Sequence, residues 1–359
     1  MSGVIKSSGD LAPPYFSICI PQYNRTDFLI EACRAYAAQT FRDFEVCISD
    51  DCSTDGKTDE LIAFLRSSGM RFTYSKTSTN LRYDGNLRAA IALSTGRYLL
   101  LMGNDDKLST PTSLQTLHDE LARVGEVAAA ITNYRELSTN TTFRRMGATG
   151  VLGAGPEAAL ATFRSYSFVS GVIFDGAQAR SEATVEVDGS EMYQMFLGAR
   201  LVGRGGRFLA IDQICIDKDI QIAGQDVDSY RQLPRLQPCP IVKRPLPMGR
   251  LLEVVTAGLR PSVSAAELDS LGFKIACRLY AYTYPFWGVE LRRVQSMRYA
   301  IGVLLALSPS DIARDCGMSW YRRLMLWPIY ATTSTIALLT PPSVFDWLRP
   351  RLYRLAKRT

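Results

Sequence analysis

Apolar and polar residues alternate in blocks along the first two-thirds of the chain. Tyr98–Met102, read Y-L-L-L-M, is a short apolar run that stops on Gly103-Asn104-Asp105-Asp106. A run of that length closed by turn residues predicts a strand buried on both faces. Tyr15–Ile20 and Phe44–Ser49 have the same form and end on P-Q-Y-N-R and D-D-C-S-T-D-G. Met70–Lys76, Val127–Glu136, Phe168–Phe174 and the segment Gly205–Asp212 extend the set of strands. Helical signals lie between them. Thr26 or Asp27 caps a helix to about Gln39, another spans roughly Thr58–Ser67, and Gly85–Thr95 ends on Gly96. Thr110-Pro111 opens a helix to about Val124, with proline at its first position. This alternation predicts an α/β fold with a doubly wound, mostly parallel sheet flanked by helices. In such sheets ligands bind beyond the carboxyl ends of the strands, where Asn104, Asp105 and Asp106 would stand.

A dinucleotide-binding sheet is excluded, because no G-x-G-x-x-G follows the first strand; no Walker A lysine loop is present either. A bound diphosphate would therefore need another source of positive charge. Hard carboxylate oxygens at a strand end suit Mg²⁺ or Mn²⁺ bridging to phosphate, although Gly, Asn and Asp are also ordinary turn residues. The single histidine, His118, excludes a histidine-based triad or a His-rich metal site. None of the eight cysteines forms C-x-x-C, and free thiols are expected. A general base must then be a carboxylate, Lys, Tyr or Cys.

Four segments in order, P-Q-Y-N-R (21–25), S-D-D-C-S-T-D-G (49–56), N-L-R-Y-D-G-N-L-R-A-A-I-A-L-S-T-G-R-Y (80–98) and G-N-D-D (103–106), resemble the inverting family 2 glycosyltransferases of GT-A fold. The tract with Tyr83-Asp84 and Asn86 is similar to the branch of abequosyltransferase-like O-antigen sugar transferases. The resemblance covers roughly residues 15–220. It implies a nucleotide-sugar donor site. Tyr23 would stack on the base over a turn shaped by Pro21, and Asp51 would accept a hydrogen bond from the base while Asp50 braces the loop. Arg25, Arg82, Asn86, Asn104 and Asp105 would line the donor, with Arg88 near them. The last aspartate of the family's D-x-D motif binds the metal; it maps to Asp106, with Asp105 facing the ribose or diphosphate. Asn104 stands where an aspartate is more usual. The family's acidic pair before a helix maps onto V-D-G-S-E-M-Y (187–193), making Glu191 the candidate base and Asp188 the second choice. Ser190 would cap that helix, with Glu191 in its first turn.

Gly-rich Ala148–Gly155 reads as a mobile loop over the acceptor. The charge divides unevenly along the chain. Residues 243–359 hold 17 Lys+Arg against 7 Asp+Glu, whereas residues 1–242 hold 24 against 28. The expected organisation is a leader (1–14), a GT-A domain (15–235, donor half to about 125), a Pro-rich linker (236–248) and a helical, basic and aromatic region (249–359). The uncharged stretch Leu324–Phe345 is long enough to span a bilayer, but its Pro and Thr content favours helices lying in the interface; packing on the protein or an oligomer contact is the plainer alternative. No apolar h-region opens the chain, so no secretory signal is expected. A charge confined to a C-terminal region rich in apolar stretches favours lipid over nucleic acid.

These readings converge on metal-dependent transfer of a sugar, with inversion, from a nucleotide-sugar to an acceptor hydroxyl. A lipid-linked glycan of cell-surface polysaccharide biosynthesis is the expected acceptor, met on the cytoplasmic face of the membrane by a peripherally bound enzyme. Two other readings stand beside it: a non-catalytic nucleotide-sugar-binding or scaffold protein, and a nucleotidyltransferase.

Overall fold

The computed structural model describes residues 3–7, 12–225 and 240–358. The chain divides into two compact units, Met1–Val227 and Asp228–Thr359.

The first unit is built on one mixed sheet. Its strands are β1 (Val4–Lys6), β2 (Phe16–Gln22), β3 (Phe44–Asp50), β4 (Arg71–Lys76), β5 (Tyr98–Leu101), β6 (Lys107–Leu108), β7 (Ala129–Glu136), β8 (Thr141–Phe143), β9 (Gly150–Gly153), β10 (Val172–Asp175) and β11 (Phe208–Lys218). The helices are α1 (Thr26–Ala37), α2 (Thr58–Ser67), α3 (Arg82–Leu93), α4 (Ser113–Val124), α5 (Gly155–Thr162), α6 (Gly176–Ser181) and α7 (Tyr193–Gly203). Strand order is β1-β4-β3-β2-β5-β10-β7-β11-β6. β4, β3, β2 and β5 run parallel. β10 runs antiparallel to both β5 and β7, and β11 is parallel to β7. The carboxyl ends of β2, β3, β4, β5, β7 and β11 therefore share one edge of the sheet.

The central strands are apolar throughout because the sheet is covered on both faces. Ile18, Ile20, Val46, Ile48, Leu100 and Ile173 are fully buried in one core with Phe28, Leu29 and Leu117. Three expectations are revised. Within the leader, Val4–Lys6 pairs antiparallel with β4. The Gly-rich segment expected to be a mobile loop contains β9, which pairs with β11. Helix α3 begins at Arg82 instead of Gly85, because Asp51 accepts the Leu81 N–H at 2.6 Å and fixes the turn earlier.

The second unit is helical: α8 (Leu251–Leu259), α9 (Ala265–Arg278), a π-turn (Leu279–Thr283), α10 (Tyr284–Val294), α11 (Met297–Ala306), α12 (Pro309–Ile312), α13 (Trp320–Leu339) and α14 (Pro342–Arg358). Of the expected Pro-rich linker, residues 236–239 lie outside the described residues. The stretch 324–345 is not one helix: α13 ends at Leu339, and α14 begins at Pro342. Among the described residues, no helix is long and apolar enough to cross a membrane. Only Leu326 and Ala337 of α13 are buried.

Candidate active site

The site begins with Gln22, the last residue of β2, which is fully buried. Its backbone carbonyl accepts from Asn86 Nδ2 (3.0 Å) and from the Asp51 N–H (2.8 Å). Its side-chain Oε1 accepts from Asn104 Nδ2 (2.8 Å), and its Nε2 donates to the Asn24 carbonyl (2.5 Å). One glutamine thus ties together the turns after β2, β3 and β5 and the first turns of α3. Sequence reading treated Gln22 as a strand end; a buried amide can satisfy several strand-end loops at once, but which loops meet there is a tertiary fact.

Asn86 and Asp51 serve this scaffold more than the surface. Both are buried, and Asn86 Oδ1 has no partner among the described residues. Asp51 Oδ1 holds Leu81 N–H, while Asp50 takes the Tyr74 hydroxyl at 2.5 Å and the Ser53 N–H at 2.8 Å, so Asp50 braces the loop. Tyr23 stands out with 48% of its surface exposed, and Pro21 is half-buried on the strand behind it. Arg82 is exposed, makes no ion pair among the described residues, and sits in the left-handed region at φ 61°.

The two aspartates after β5 have different surroundings. Asp105 is partly exposed, and its Oδ2 receives Arg25 Nη1 at 2.8 Å. Asp106 is buried, with Oδ2 hydrogen-bonded by the Ser170 hydroxyl and Oδ1 by the Asp219 N–H at 3.0 Å. Burial first, and then the charge of Asp105, push the Asp106 pKa up to about 8. Asp106 and Asp105, the two expected metal ligands, thus differ in exposure and in hydrogen bonding. Each Asp106 oxygen accepts a hydrogen bond within the protein, and Asp105 is the more exposed of the two carboxylates. No group of three or more His, Cys, Asp or Glu among the described residues is arranged to hold a metal. A divalent ion here would rely on one carboxylate, water and the donor's phosphates, a common way for Mg²⁺ to be held.

Three supporting groups were not legible in the motifs. Ser170 reaches Asp106 from the loop before β10. Arg145 fixes that loop by donating to the carbonyls of Thr132 (2.9 Å), Phe168 (2.8 Å) and Ser170 (2.7 Å). Lys218, at the end of β11, bridges Glu136 (3.1 Å) and Asp219 (2.6 Å), and the Ile220 N–H donates to the Asp105 carbonyl at 2.8 Å.

On the acceptor side, Asp188 is committed to a two-point ion pair with Arg88, whose Nη2 meets Oδ2 at 2.8 Å. Glu191 is exposed, and its carboxylate has no hydrogen-bond or ion-pair partner among the described residues. It does not lie in the first turn of α7. It precedes the helix, at φ 59°. Ser190 Oγ accepts the Met192 N–H at 3.1 Å, and the N–H groups of Glu191 and Tyr193 go instead to Asp84 on α3. Partial burial first, and then the Asp84 charge, raise the Glu191 pKa from its ordinary value.

Residues 17–175 match the family model described as glycosyl transferase family 2. The chain carries a glycosyl transferase family 2 domain. Its relatives include abequosyltransferase RfbV of Salmonella typhimurium, 39% identical over 113 residues that make up 30% of this chain and 34% of that protein. The amylovoran biosynthesis glycosyltransferase AmsB of Erwinia amylovora is 32% identical over 26% of this chain and 31% of its own. The matched region thus spans about a third of each of these two relatives. Among solved structures, S. aureus TarS 1–349 in complex with UDP superposes with a TM-score of 0.59 at 15% identity, over 89% of this chain and 90% of that one. Mannosyltransferase PcManGT from Pyrobaculum calidifontis, in complex with GDP-Man and Mn²⁺, gives 0.52 at 14% identity over 96% and 86%. These likenesses show the GT-A-type fold of the family 2 domain.

Proposed function

We propose that this glycosyl transferase family 2 protein transfers a sugar from a nucleotide-sugar to an acceptor hydroxyl, with inversion at the anomeric carbon. The observation that carries the reading is the contrast among the carboxylates at the sheet edge and the start of α7. Asp50, Asp84, Asp106 and Asp188 are all engaged within the protein, whereas Glu191 presents an unengaged carboxylate of raised pKa. A general base must come within hydrogen-bond reach of the acceptor proton and works best with a pKa near the working pH, and a carboxylate without an internal partner is open to an acceptor hydroxyl.

Tyr23 offers a ring face for the nucleobase, and Arg25 and Arg82 supply positive charge for the diphosphate. Asp105 would hold Mg²⁺ or Mn²⁺, which supplies charge neutralisation to the departing diphosphate. Glu191 removes the proton of the acceptor hydroxyl as its oxygen attacks the anomeric carbon from the face opposite the leaving group. Asp188, held by Arg88, fixes the segment that carries Glu191.

We assign the acceptor to a lipid-linked glycan, met at an anionic cytoplasmic membrane surface. Support comes from the basic excess of residues 243–359 and from α13, which exposes Trp320, Leu324, Trp327, Ile336 and Leu339. Apolar and aromatic side chains on a basic helical unit suit a peripheral, interfacial position. The test is release of nucleotide from a panel of UDP-, dTDP-, GDP- and CDP-sugars with Mn²⁺ or Mg²⁺, with and without lipid-linked acceptor. Turnover of one donor, lost in Glu191→Gln, is expected. Donor binding with no turnover under any acceptor condition would favour a non-catalytic binding protein instead.

A further inference from the structure

We propose that Asp84 is a positioning residue that holds the Glu191 carboxylate at the place where it can act as base. The inference rests on the assignment of Glu191 above. Asp84 lies in the first turn of α3, is 1% exposed, and belongs to none of the donor contacts expected from the motifs. Its Oδ2 accepts the Glu191 N–H at 2.8 Å and stands 3.5 Å from the Ser190 hydroxyl; its Oδ1 accepts the Tyr193 N–H at 3.0 Å.

This carboxylate does the work of a helix cap from another helix. Met192 stands at the N-cap position of α7, and no side chain of its own segment caps the first turn in the usual way. The leading N–H groups of a helix need acceptors, and they favour negative charge. Asp84 satisfies two N–H groups on either side of Met192 and so ties the start of α7 to α3. Glu191 is thereby held in the left-handed region, which a residue with a side chain adopts only when its surroundings enforce it.

The arrangement also ties the base to the donor side. Asn86, two residues along α3, donates to the Gln22 carbonyl, and Gln22 accepts from Asn104 of the acidic turn. One helix therefore registers Glu191 against Asn104-Asp105. The charged groups facing this spot are few. Arg88 of α3 and Asp188 of the preceding loop neutralise one another, Tyr83 donates its hydroxyl to Gln194 of α7, and Asp84 is the charged neighbour that acts on Glu191.

The experiment compares Asp84→Asn and Asp84→Ala with Glu191→Gln in the full chain. Three quantities are read: steady-state release of nucleotide from the donor that the panel identifies, melting temperature, and the ¹³C titration of the Glu191 carboxyl in Glu-labelled protein, assigned with Glu191→Gln. Asp84→Ala should lower kcat by on the order of 10²-fold, as expected for a displaced catalytic group, with donor KM little changed. Asp84→Asn keeps one acceptor oxygen but loses the charge. It should lose less activity, and the acid limb of its pH profile and the Glu191 titration should both move to lower pH. The proposal is overturned if Glu191 titrates unchanged in Asp84→Asn, or if the variants lose melting temperature while kcat and the pH profile stay as in the wild type. Full activity of Glu191→Gln would instead sink the base assignment, and the carboxyl titration would still report whether Asp84 governs Glu191.

Discussion

Replacing Asp105 and Asp106 separately by alanine should break different things, although they are neighbours in sequence. Asp106→Ala removes the acceptor for the Ser170 hydroxyl and the Asp219 N–H, and both donors are left in a closed site. An unsatisfied buried group costs about 1–3 kcal/mol. Removing a buried carboxylate from beside Asp105 recovers part of that, because its charged form is disfavoured there. A net loss of about 2–4 kcal/mol follows, or roughly 5–15 °C in melting temperature for a unit of this size. Asp105→Ala breaks a partly exposed pair with Arg25; exposed pairs of this kind are typically worth about 0–1 kcal/mol. Its melting temperature should stay within a few degrees, while Mn²⁺ binding in the presence of nucleotide diphosphate is lost. Thermal denaturation and calorimetric titration of Mn²⁺ into the nucleotide-bound protein read the two effects. The reasoning fails if Asp106→Ala melts like the wild type yet loses Mn²⁺, while Asp105→Ala still binds it. That result would make Asp106 the metal ligand after all.

The remaining predictions concern separate parts of the molecule. Glu191→Gln should reduce turnover by about 10²–10⁴-fold, the usual span for a lost general base, with donor affinity unchanged by equilibrium titration. Because the base must be ionised and its pKa is raised, wild-type kcat should climb with pH along a limb lying above the ordinary glutamate value of about 4.3; a rate already flat there would contradict the assignment. Arg82→Ala should weaken nucleotide diphosphate binding without moving the melting temperature, since the side chain makes no ion pair among the described residues. Leu324→Glu with Trp327→Glu should abolish co-sedimentation with phosphatidylglycerol vesicles and leave donor hydrolysis intact; binding that persists would show that α13 is not the contact.

The sheet was readable because burial on both faces leaves so little freedom. Phe44–Ser49 and Tyr98–Met102 could scarcely be anything but inner strands, and β3 and β5 lie there. The edges were harder. β1 and β9 carry no such runs and owe their pairing to β4 and β11, which lie far along the chain. The candidate site was legible as a set of strand-end loops and illegible in its detail. Nothing local distinguishes Asp105 from Asp106. The difference lies in Ser170 and Asp219, which approach from 64 and 113 residues away. The helix around Glu191 was misplaced for a similar reason, because the cap that decides where α7 starts belongs to α3.

The backbone outliers give these long-range contacts a common purpose. Asn24, Arg25, Cys52, Arg82, Glu191 and Asp219 all have φ between 51° and 61°. Four of them follow directly on the carboxyl ends of β2, β3 and β11, and the other two open the turns into α3 and α7. Each such residue costs of order 1–3 kcal/mol unless its surroundings enforce it. Five of the six have a side-chain anchor nearby. Asn24 N–H donates to Ser53 Oγ (2.7 Å), Arg25 reaches Asp105, and Arg82 N–H meets Asn80 Oδ1 (2.9 Å). Asp219 N–H goes to Asp106 and Glu191 N–H to Asp84. Three of these five anchors are carboxylates, and the two that hold backbone N–H groups, Asp84 and Asp106, are buried. A buried carboxyl group hydrogen-bonded on both oxygens is a rigid device. Asp50, Asp84 and Asp106 thus hold loops from inside the domain, whereas Asp105 and Glu191, the carboxylates proposed to face the ligands, are more exposed.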